Sequence, residues 1–333
     1  MYKIKREIKK RQVYYIMYNC LVIGAGGHNI IRMIGCIEKL VTVNHLILKD
    51  IKDIYATSAG SILSAYLCLD LDWDILTDYI INKPWGKKFE NTPTSLLTAF
   101  NDLGLFGDEY VRDILEIQFK MKGLNINTIT FKELYEYSNK RINVYSFNVN
   151  KFECECFNYK NTPDMRVLDG IYMSSTFPFV FKPKWINDSY YLDGGINLDF
   201  PYVKAIEDGM NDKNILSIKM VYPGRKSERV NRETNILKLI MYLLQKLIRE
   251  SRMRFEINND PVNLINIEGE KFSLESMSKI TNKENISEMI YQGRNASDKY
   301  LNEKIYKTEL TNSVKVSTLG SASNSLTEPP LTK

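Results

Sequence analysis

Two apolar runs near the start of the chain are each followed by a turn of small residues and then by a helical pattern. Residues 18–24, YNCLVIG, lead through AGGH into NIIRMIGCIEKL, whose apolar residues recur at helical spacing. The same order returns at residues 53–69, where DIYATSAG leads into SILSAYLCL. Strands that alternate with helices in this way predict a parallel sheet covered by helices. We therefore expect an α/β fold with a mainly parallel central sheet.

The remaining patterns suggest one large domain within the 333 residues. Further strands are predicted at residues 141–150, 151–159 and 214–222. The last residues are polar and rich in Ser and Pro, which favours disorder. The expected organisation is a basic extension (1–17), a domain (18–312) with a motif-bearing core (18–205) and a helical C-terminal part (206–312), and a disordered tail (313–333).

Cysteine usage and the N-terminus favour a cytoplasmic protein. The five cysteines are an odd number and lack metal-ligand spacing. Residues 1–17 have the basic and apolar parts of a signal peptide, but cleavage after YNCLVIG would remove the first strand. No stretch approaches the ~18 uninterrupted apolar residues that a membrane span needs.

Positive charge is concentrated in two segments. Residues 1–11 have a net charge of +5 and residues 223–254 a net charge of +6, so the rest of the chain is net acidic. Local basic character favours an anionic surface as a partner, and the alternative is two solvated faces. We expect a peripheral membrane association and no nucleic-acid partner.

The segment at residues 235–254, NILKLIMYLLQKLIRESRMR, predicts a helix with an unusually wide apolar face. Such a helix either packs over the sheet or lies in a lipid surface while its basic residues meet anionic head groups. The apolar face would contain Ile236, Leu237, Leu239, Ile240, Met241, Leu243, Leu244, Leu247 and Ile248.

The glycine-rich turn after the first strand does not match the common nucleotide-binding motifs. A dinucleotide fingerprint needs a third glycine where this chain has Asn29, and the Gly-Lys-Ser/Thr of a P-loop is absent. Glycines at a strand-to-helix turn still present backbone N–H groups at a helix N-terminus, where an anion is stabilised. Nucleotide binding remains a weaker alternative.

A serine and an aspartate supply a candidate nucleophile and base. Ser58 lies between Ala56 and Gly60 at a predicted strand-turn-helix, which is typical of a nucleophile elbow. The two histidines, His28 and His45, both precede Ser58, unlike the order in α/β-hydrolases. The remaining base is Asp193, before two glycines; an exposed Asp has a pKa near 3.9, so this one needs a sheltered site.

Taken together, these motifs resemble the patatin-like phospholipase family, and order and spacing agree over residues 18–205. Ala25-Gly26-Gly27 resembles its oxyanion loop, Gly35 the small residue of the following helix, Ala56–Gly60 its elbow, and Asp193-Gly194-Gly195 its base motif. Residues 174–183, SSTFPFVFKP, and Pro201 also match.

The resemblance implies a three-layer α/β/α sandwich and metal-independent hydrolysis of lipid acyl esters, without a cofactor. Ser58 and Asp193 would form the dyad, and Gly26, Gly27 and Ala59 the oxyanion hole. The alternative is an inactive, lipid-binding homologue, since the family usually has other residues at Ala25, Asn29, Ile30, Ala56 and Asp199.

Overall fold

The computed structural model describes the larger part of the chain, including all of the motifs above. The described residues are 17–85, 101–223, 230–232, 234, 236–253, 260–271, 276 and 279–322, with the side chains of 236–238, 241, 251–253 and 307–322 left aside. The basic segment 1–11 and parts of the basic segment 223–254 lie outside them.

A single mixed sheet forms the centre of the fold, in the order β5-β6-β3-β2-β1-β7-β8, with β4 also paired to β3. Strands β1, β2, β3, β7 and β8 are mutually parallel, and β4, β5 and β6 are antiparallel to their neighbours. The strands are β1 (Cys20–Ile23), β2 (Asp53–Thr57), β3 (Arg141–Asn148), β4 (Glu153–Phe157), β5 (Lys184–Ile186), β6 (Ser189–Asp193), β7 (Ile215–Val221) and β8 (Leu264–Glu268).

Helices cover both faces of the sheet, and the core on one face is much larger than the core on the other. The helices are α1 (Ile30–Thr42), α2 (Ala59–Leu67), α3 (Trp73–Asn82), α4 (Glu109–Met121), α5 (Phe131–Ser138), α6 (Val167–Ser174), α7 (Tyr202–Glu207), α8 (Ile236–Met253) and α9 (Lys283–Ala322). The mixed α/β fold expected from the sequence is confirmed, as are the predicted strands β1 to β4 and β7.

Strand β1 shows why two cores form. All four of its residues are buried, and successive side chains point to opposite faces of a sheet. Leu21 and Ile23 enter the large core with α1 and α2, whereas Cys20 and Val22 enter a small core with Tyr202 and Ala205 of α7. A strand without polar positions is the mark of a sheet covered on both sides.

The long C-terminal helix α9 packs along α1 and is described as far as Ala322. The predicted tail 313–333 lies partly outside the described residues, so the domain bounds expected from the sequence stay a prediction. Among the described helices none combines the length and apolar character that crossing a membrane requires.

Candidate active site

Ser58 occupies a sharp turn between β2 and α2. Its backbone has φ 56° and ψ −122°, a conformation that costs energy for any residue with a side chain. The turn also places the start of α2 very close to β1. The close approach is visible at Gly60, where an added Cβ would lie 2.4 Å from the Ile23 carbonyl oxygen. The chain therefore holds the Ser58 side chain at the carboxyl end of the sheet in a strained geometry.

Two serines from the end of α6 hold the backbone of this turn. The Ser58 N–H donates to Ser174 Oγ at 2.9 Å, and Ser175 Oγ donates to the Ser58 carbonyl at 3.2 Å. Ser174 Oγ in turn donates to the Tyr145 carbonyl of β3 at 2.6 Å. The segment SSTFPFVFKP thus contributes contacts that fix the strained turn.

Asp193 reaches Ser58 because β3 is longer than β2. Tyr145 of β3 pairs with Thr57, the last residue of β2, and the next residue, Ser146, pairs with Asp193 at the end of β6. Ser58 Oγ donates to Asp193 Oδ2 at 2.6 Å, and the Gly195 N–H donates to Asp193 Oδ1 at 2.7 Å. Ser58 and Asp193 are each only 5% exposed, so the carboxylate lies in a sheltered site.

The glycine-rich loop is anchored at its start and leaves N–H groups available further on. The Gly24 N–H donates to Ile218 of β7, and the Ala25 N–H donates to the Asp199 carbonyl at 2.6 Å. Within the described part of the chain, the N–H groups of Gly26, Gly27 and Ala59 donate to no acceptor. Three such donors beside a serine hydroxyl are suited to stabilise a negatively charged oxygen.

An apolar cavity of about 130 Å³ opens at these groups and is lined both by the loop and by Ser58 and Asp193. It follows α2, since Ile62 and Tyr66 also line it, and Tyr66 lies about 12 Å from Ser58 at 1.5 Å per helical residue. The other apolar lining residues include Ile30, Ile31, Ile34, Ile80, Trp85, Val111, Ile114, Phe177 and Phe181.

Neither histidine donates to or accepts from Ser58 in the described hydrogen bonds. His28 lines the cavity, and its Nδ1 lies 3.4 Å from Ser276 Oγ. Burial, followed by the nearby Arg32, lowers the pKa of His28 to about 4, so its imidazole is neutral at pH 7. His45 instead contacts Tyr18 and Tyr300. The described residues contain no cluster of three or more His, Cys, Asp or Glu side chains that could hold a metal ion.

Sequence reasoning missed a buried polar network behind the loop. Asn29 is fully buried, and its side chain bonds to the Gly26 carbonyl, to the Glu270 carbonyl and to Arg32. From the sequence, Asn29 differs from the residue expected in a dinucleotide fingerprint and in the family's loop, and no structural role is predicted for it. Its buried position and its partner 241 residues away carry no local sequence signal.

Comparison with known proteins identifies the family of the chain. The model of the family described as patatin-like phospholipase matches residues 21–206, which is more than half of the chain. The chain therefore belongs to the patatin-like phospholipase family.

The individual relatives are each less than 30% identical to this chain. The chain is 29% identical over 198 residues to "Probable lipid hydrolase 463L" of Invertebrate iridescent virus 6, over 57% of this chain and 64% of that protein. Among solved structures, VipD from Legionella pneumophila aligns over 84% of this chain and 67% of its own, at 16% identity and a TM-score of 0.45. The ExoU–SpcU complex of Pseudomonas aeruginosa aligns over 84% of this chain and 52% of its own, at 16% identity and a TM-score of 0.40.

Proposed function

We propose that this protein hydrolyses fatty acyl esters of phospholipids through a Ser58–Asp193 dyad. The observation that carries the proposal is the 2.6 Å hydrogen bond between Ser58 Oγ and Asp193 Oδ2, buried at an apolar cavity. Family membership supports a lipid hydrolase as the class of enzyme.

The first step is acylation of Ser58. Asp193 Oδ2 accepts the hydroxyl proton as Ser58 Oγ forms a bond to the ester carbonyl carbon. The carbonyl oxygen takes up the electron pair and becomes an oxyanion. The carbon–oxygen bond to the alcohol then breaks, and the leaving lysolipid oxygen receives the proton from Asp193.

The oxyanion is stabilised by backbone donors. The N–H groups of Gly26, Gly27 and Ala59 are the candidates, since they line the same cavity as Ser58. Ala59 is also the first residue of α2, so the positive end of this helix faces the developing charge. Loss of one such donor typically slows an enzyme by about 10²–10³-fold.

The second step releases the acyl group. The oxygen of a water molecule attacks the carbonyl carbon of acyl-Ser58, and Asp193 accepts a proton from that water. The bond between Ser58 Oγ and the acyl carbon breaks, Ser58 regains a proton from Asp193, and a fatty acid leaves. The donors named above stabilise the charge of both steps, so we propose that the reaction requires no metal ion.

The cavity indicates the substrate class. Its lining is mainly isoleucine, phenylalanine and other apolar residues, and it extends along α2 from Ser58. Each methylene group of an acyl chain that enters such a site contributes about 0.8 kcal/mol. A long acyl chain therefore fits the cavity better than a short, water-soluble one.

A lipid surface is the proposed source of the substrate. Helix α8 contacts the turn Gly194–Ile196 that follows Asp193, while Ile240, Leu243 and Leu247 of the same helix are 39%, 50% and 68% exposed. These three residues form one stripe at helical spacing. Arg249 is exposed and Lys246 half-buried beside them, which suits an anionic membrane surface.

The test is incubation of the purified protein with vesicles of mixed phospholipids, with product identification by mass spectrometry. We expect free fatty acid and lysophospholipid from the wild-type protein, in the presence of EGTA as well. Ser58→Ala should give neither product. Vesicle binding without any released fatty acid would instead identify an inactive lipid-binding homologue.

A further inference from the structure

The carbonyl of Gly26 is held by two hydrogen bonds from one residue. The Asn29 backbone N–H donates to it at 3.0 Å and the Asn29 Nδ2 at 2.8 Å. Asn29 Nδ2 also donates at 2.9 Å to the carbonyl of Glu270, which lies two residues past the end of β8. The side chain of Asn29 thereby ties the glycine-rich loop to a strand from the far end of the sequence.

Fixing this carbonyl also fixes the N–H of the next residue. The Gly26 C=O and the Gly27 N–H belong to one planar trans peptide, in which the two bonds point in opposite directions. A carbonyl turned toward Asn29 leaves the Gly27 N–H pointing away from Asn29. Gly27 lines the cavity together with Ser58, whereas Asn29 is not among its lining residues. Asn29 thus controls the direction of one proposed oxyanion donor without touching the substrate.

Arg32 adds a positive charge to the same chain of bonds. Its Nη1 donates to Asn29 Oδ1 at 2.8 Å and its Nε to Gln292 Oε1 of α9 at 2.8 Å. Arg32 is only 6% exposed, and burial lowers the pKa of its guanidinium. From Arg32 through Asn29 to the Gly26–Gly27 peptide, every donor points the same way, so each bond polarises the next.

The fold leaves room for this arrangement. A Cβ on Gly269 would lie 2.6 Å from Asn29 Oδ1 and 2.4 Å from Met220 Cε, so a larger residue would displace the amide. Glycine at position 269, just past β8, is therefore part of the arrangement around Asn29. Arg32, about one helical turn after Asn29, supplies the positive charge of this arrangement.

We propose that Asn29, backed by Arg32, is a positioning residue that orients the Gly27 N–H toward the oxyanion of the transition state. The inference rests on the proposed hydrolase function. It assigns to Asn29 an effect on the chemical step rather than on substrate binding.

The test compares Asn29→Asp with a closely matched control. Asn263, at the opposite end of β8, also donates through Nδ2 to two backbone carbonyls, of Lys213 and Ile215, and its Oδ1 also accepts from a cation, Lys304. Both substitutions replace one amide donor by a carboxylate oxygen facing carbonyls. They should lower the melting temperature similarly.

The activities should differ. For Asn29→Asp we expect kcat on a soluble acyl ester to fall about 10- to 100-fold with KM within about threefold, because a misplaced donor costs up to about 10². For Asn263→Asp, kcat should stay within about twofold. Affinity for an acyl trifluoromethyl ketone, which forms an oxyanion on Ser58, should fall with kcat, whereas affinity for the fatty amide of equal length should not.

A second pair of variants covers the case in which Asn29→Asp does not fold. Arg32→Lys should retain more of kcat than Arg32→Met, because lysine keeps the charge. Equal kcat for Asn29→Asp and Asn263→Asp, or for Arg32→Lys and Arg32→Met, would overturn the inference while leaving the hydrolase intact. A wild-type protein without turnover and without ketone binding would overturn the proposed function, and the inference with it.

Discussion

Residues 21–206 and residues 207–322 make different kinds of contribution to the site. The first region contains Ser58, Asp193 and the glycine-rich loop, which are all the groups proposed to react or to stabilise charge. The second region lies beyond the family match and makes hydrogen bonds to the glycine-rich loop and to the start of α1 from β7, from the segment after β8 and from α9. The groups proposed to do the chemistry all lie within the family match, whereas the groups that hold them come from both regions, for example Ser174 from the first and Glu270 from the second.

This difference predicts a gradient of effects. Substitutions of the groups proposed to react should remove reaction steps, whereas substitutions of the residues around them, in either region, should change geometry, access or stability. The predictions below either enlarge that contrast or would abolish it.

The largest effect is expected at the dyad. Ser58→Ala and Asp193→Asn should each lower kcat about 10³-fold or more, and the double variant should cost little more, because the two residues act as one unit. The measurement is kcat on a soluble ester, with the melting temperature of each variant. Asp208→Asn is the control, since Asp208 Oδ2 accepts from Tyr55 OH at the same 2.6 Å outside the site. Additive losses in the double variant would contradict the dyad.

A smaller effect is expected from obstructing the cavity. Ile62 lies midway between Ser58 and Tyr66, so Ile62→Trp should exclude the distal part of an acyl chain. Loss of about four buried methylene groups, at about 0.8 kcal/mol each, lowers kcat/KM for long chains about 10²-fold and spares short esters. Ile75→Trp, at a position 59% exposed on α3, is the control. An unchanged chain-length profile would place the acyl chain elsewhere.

The next effect concerns access to the lipid surface through α8. Lys246→Gln together with Arg249→Gln should weaken binding to anionic vesicles by between about 10- and 30-fold, at about 1 kcal/mol for each charge. Hydrolysis of a short, soluble ester should stay within about twofold. Lys120→Gln with Lys132→Gln is the control pair, because both lysines are exposed elsewhere. Equal losses on vesicles and on the soluble ester would assign α8 to the core.

The smallest effect on turnover is expected at His28, where the change should appear in stability. The pKa of this residue is lowered from 6.5 to about 4, so below pH 6.5 the unfolded chain binds a proton that the folded chain does not. The free energy of unfolding should therefore fall by about 3 kcal/mol between pH 6.5 and 4 from this residue.

His28→Gln should flatten this dependence and keep activity within about fivefold. Urea denaturation at several pH values measures this dependence, and His45→Gln, which removes a half-buried histidine whose pKa is also lowered by burial, gives the comparison. If the free energy of unfolding of His28→Gln changed with pH as it does in the wild type, the lowered pKa of His28 would be contradicted.

Local patterns predicted the elements that carry the motifs. The apolar strands, the small-residue turns and the helical spacing of α1 and α2 are properties of neighbouring residues, so sequence alone could place Ser58 at a strand-to-helix turn. The hairpin of β5 and β6, which ends at Asp193, was not predicted, although Asn187 and Asp188, both at positive φ, form a turn typical of such a pair. An Asn-Asp pair between two short strands is a local signal from which such a hairpin can be predicted.

Other features could not be read from the sequence. The same apolar pattern in α8 is compatible with burial in a core and with exposure, and only the fold shows Leu243 and Leu247 exposed while Ile248 is buried.

The sequence by itself therefore determined the class of fold and the two residues of the proposed dyad. Backbone turns and periodic burial depend on residues adjacent in the chain, which a single sequence displays. Only the tertiary structure decided that Asp193 meets Ser58 at 2.6 Å, and that Asn29 binds Glu270 and Arg32 binds Gln292. Those contacts join residues 135 to 260 positions apart, and they form only where packing of the sheet and helices brings distant segments together.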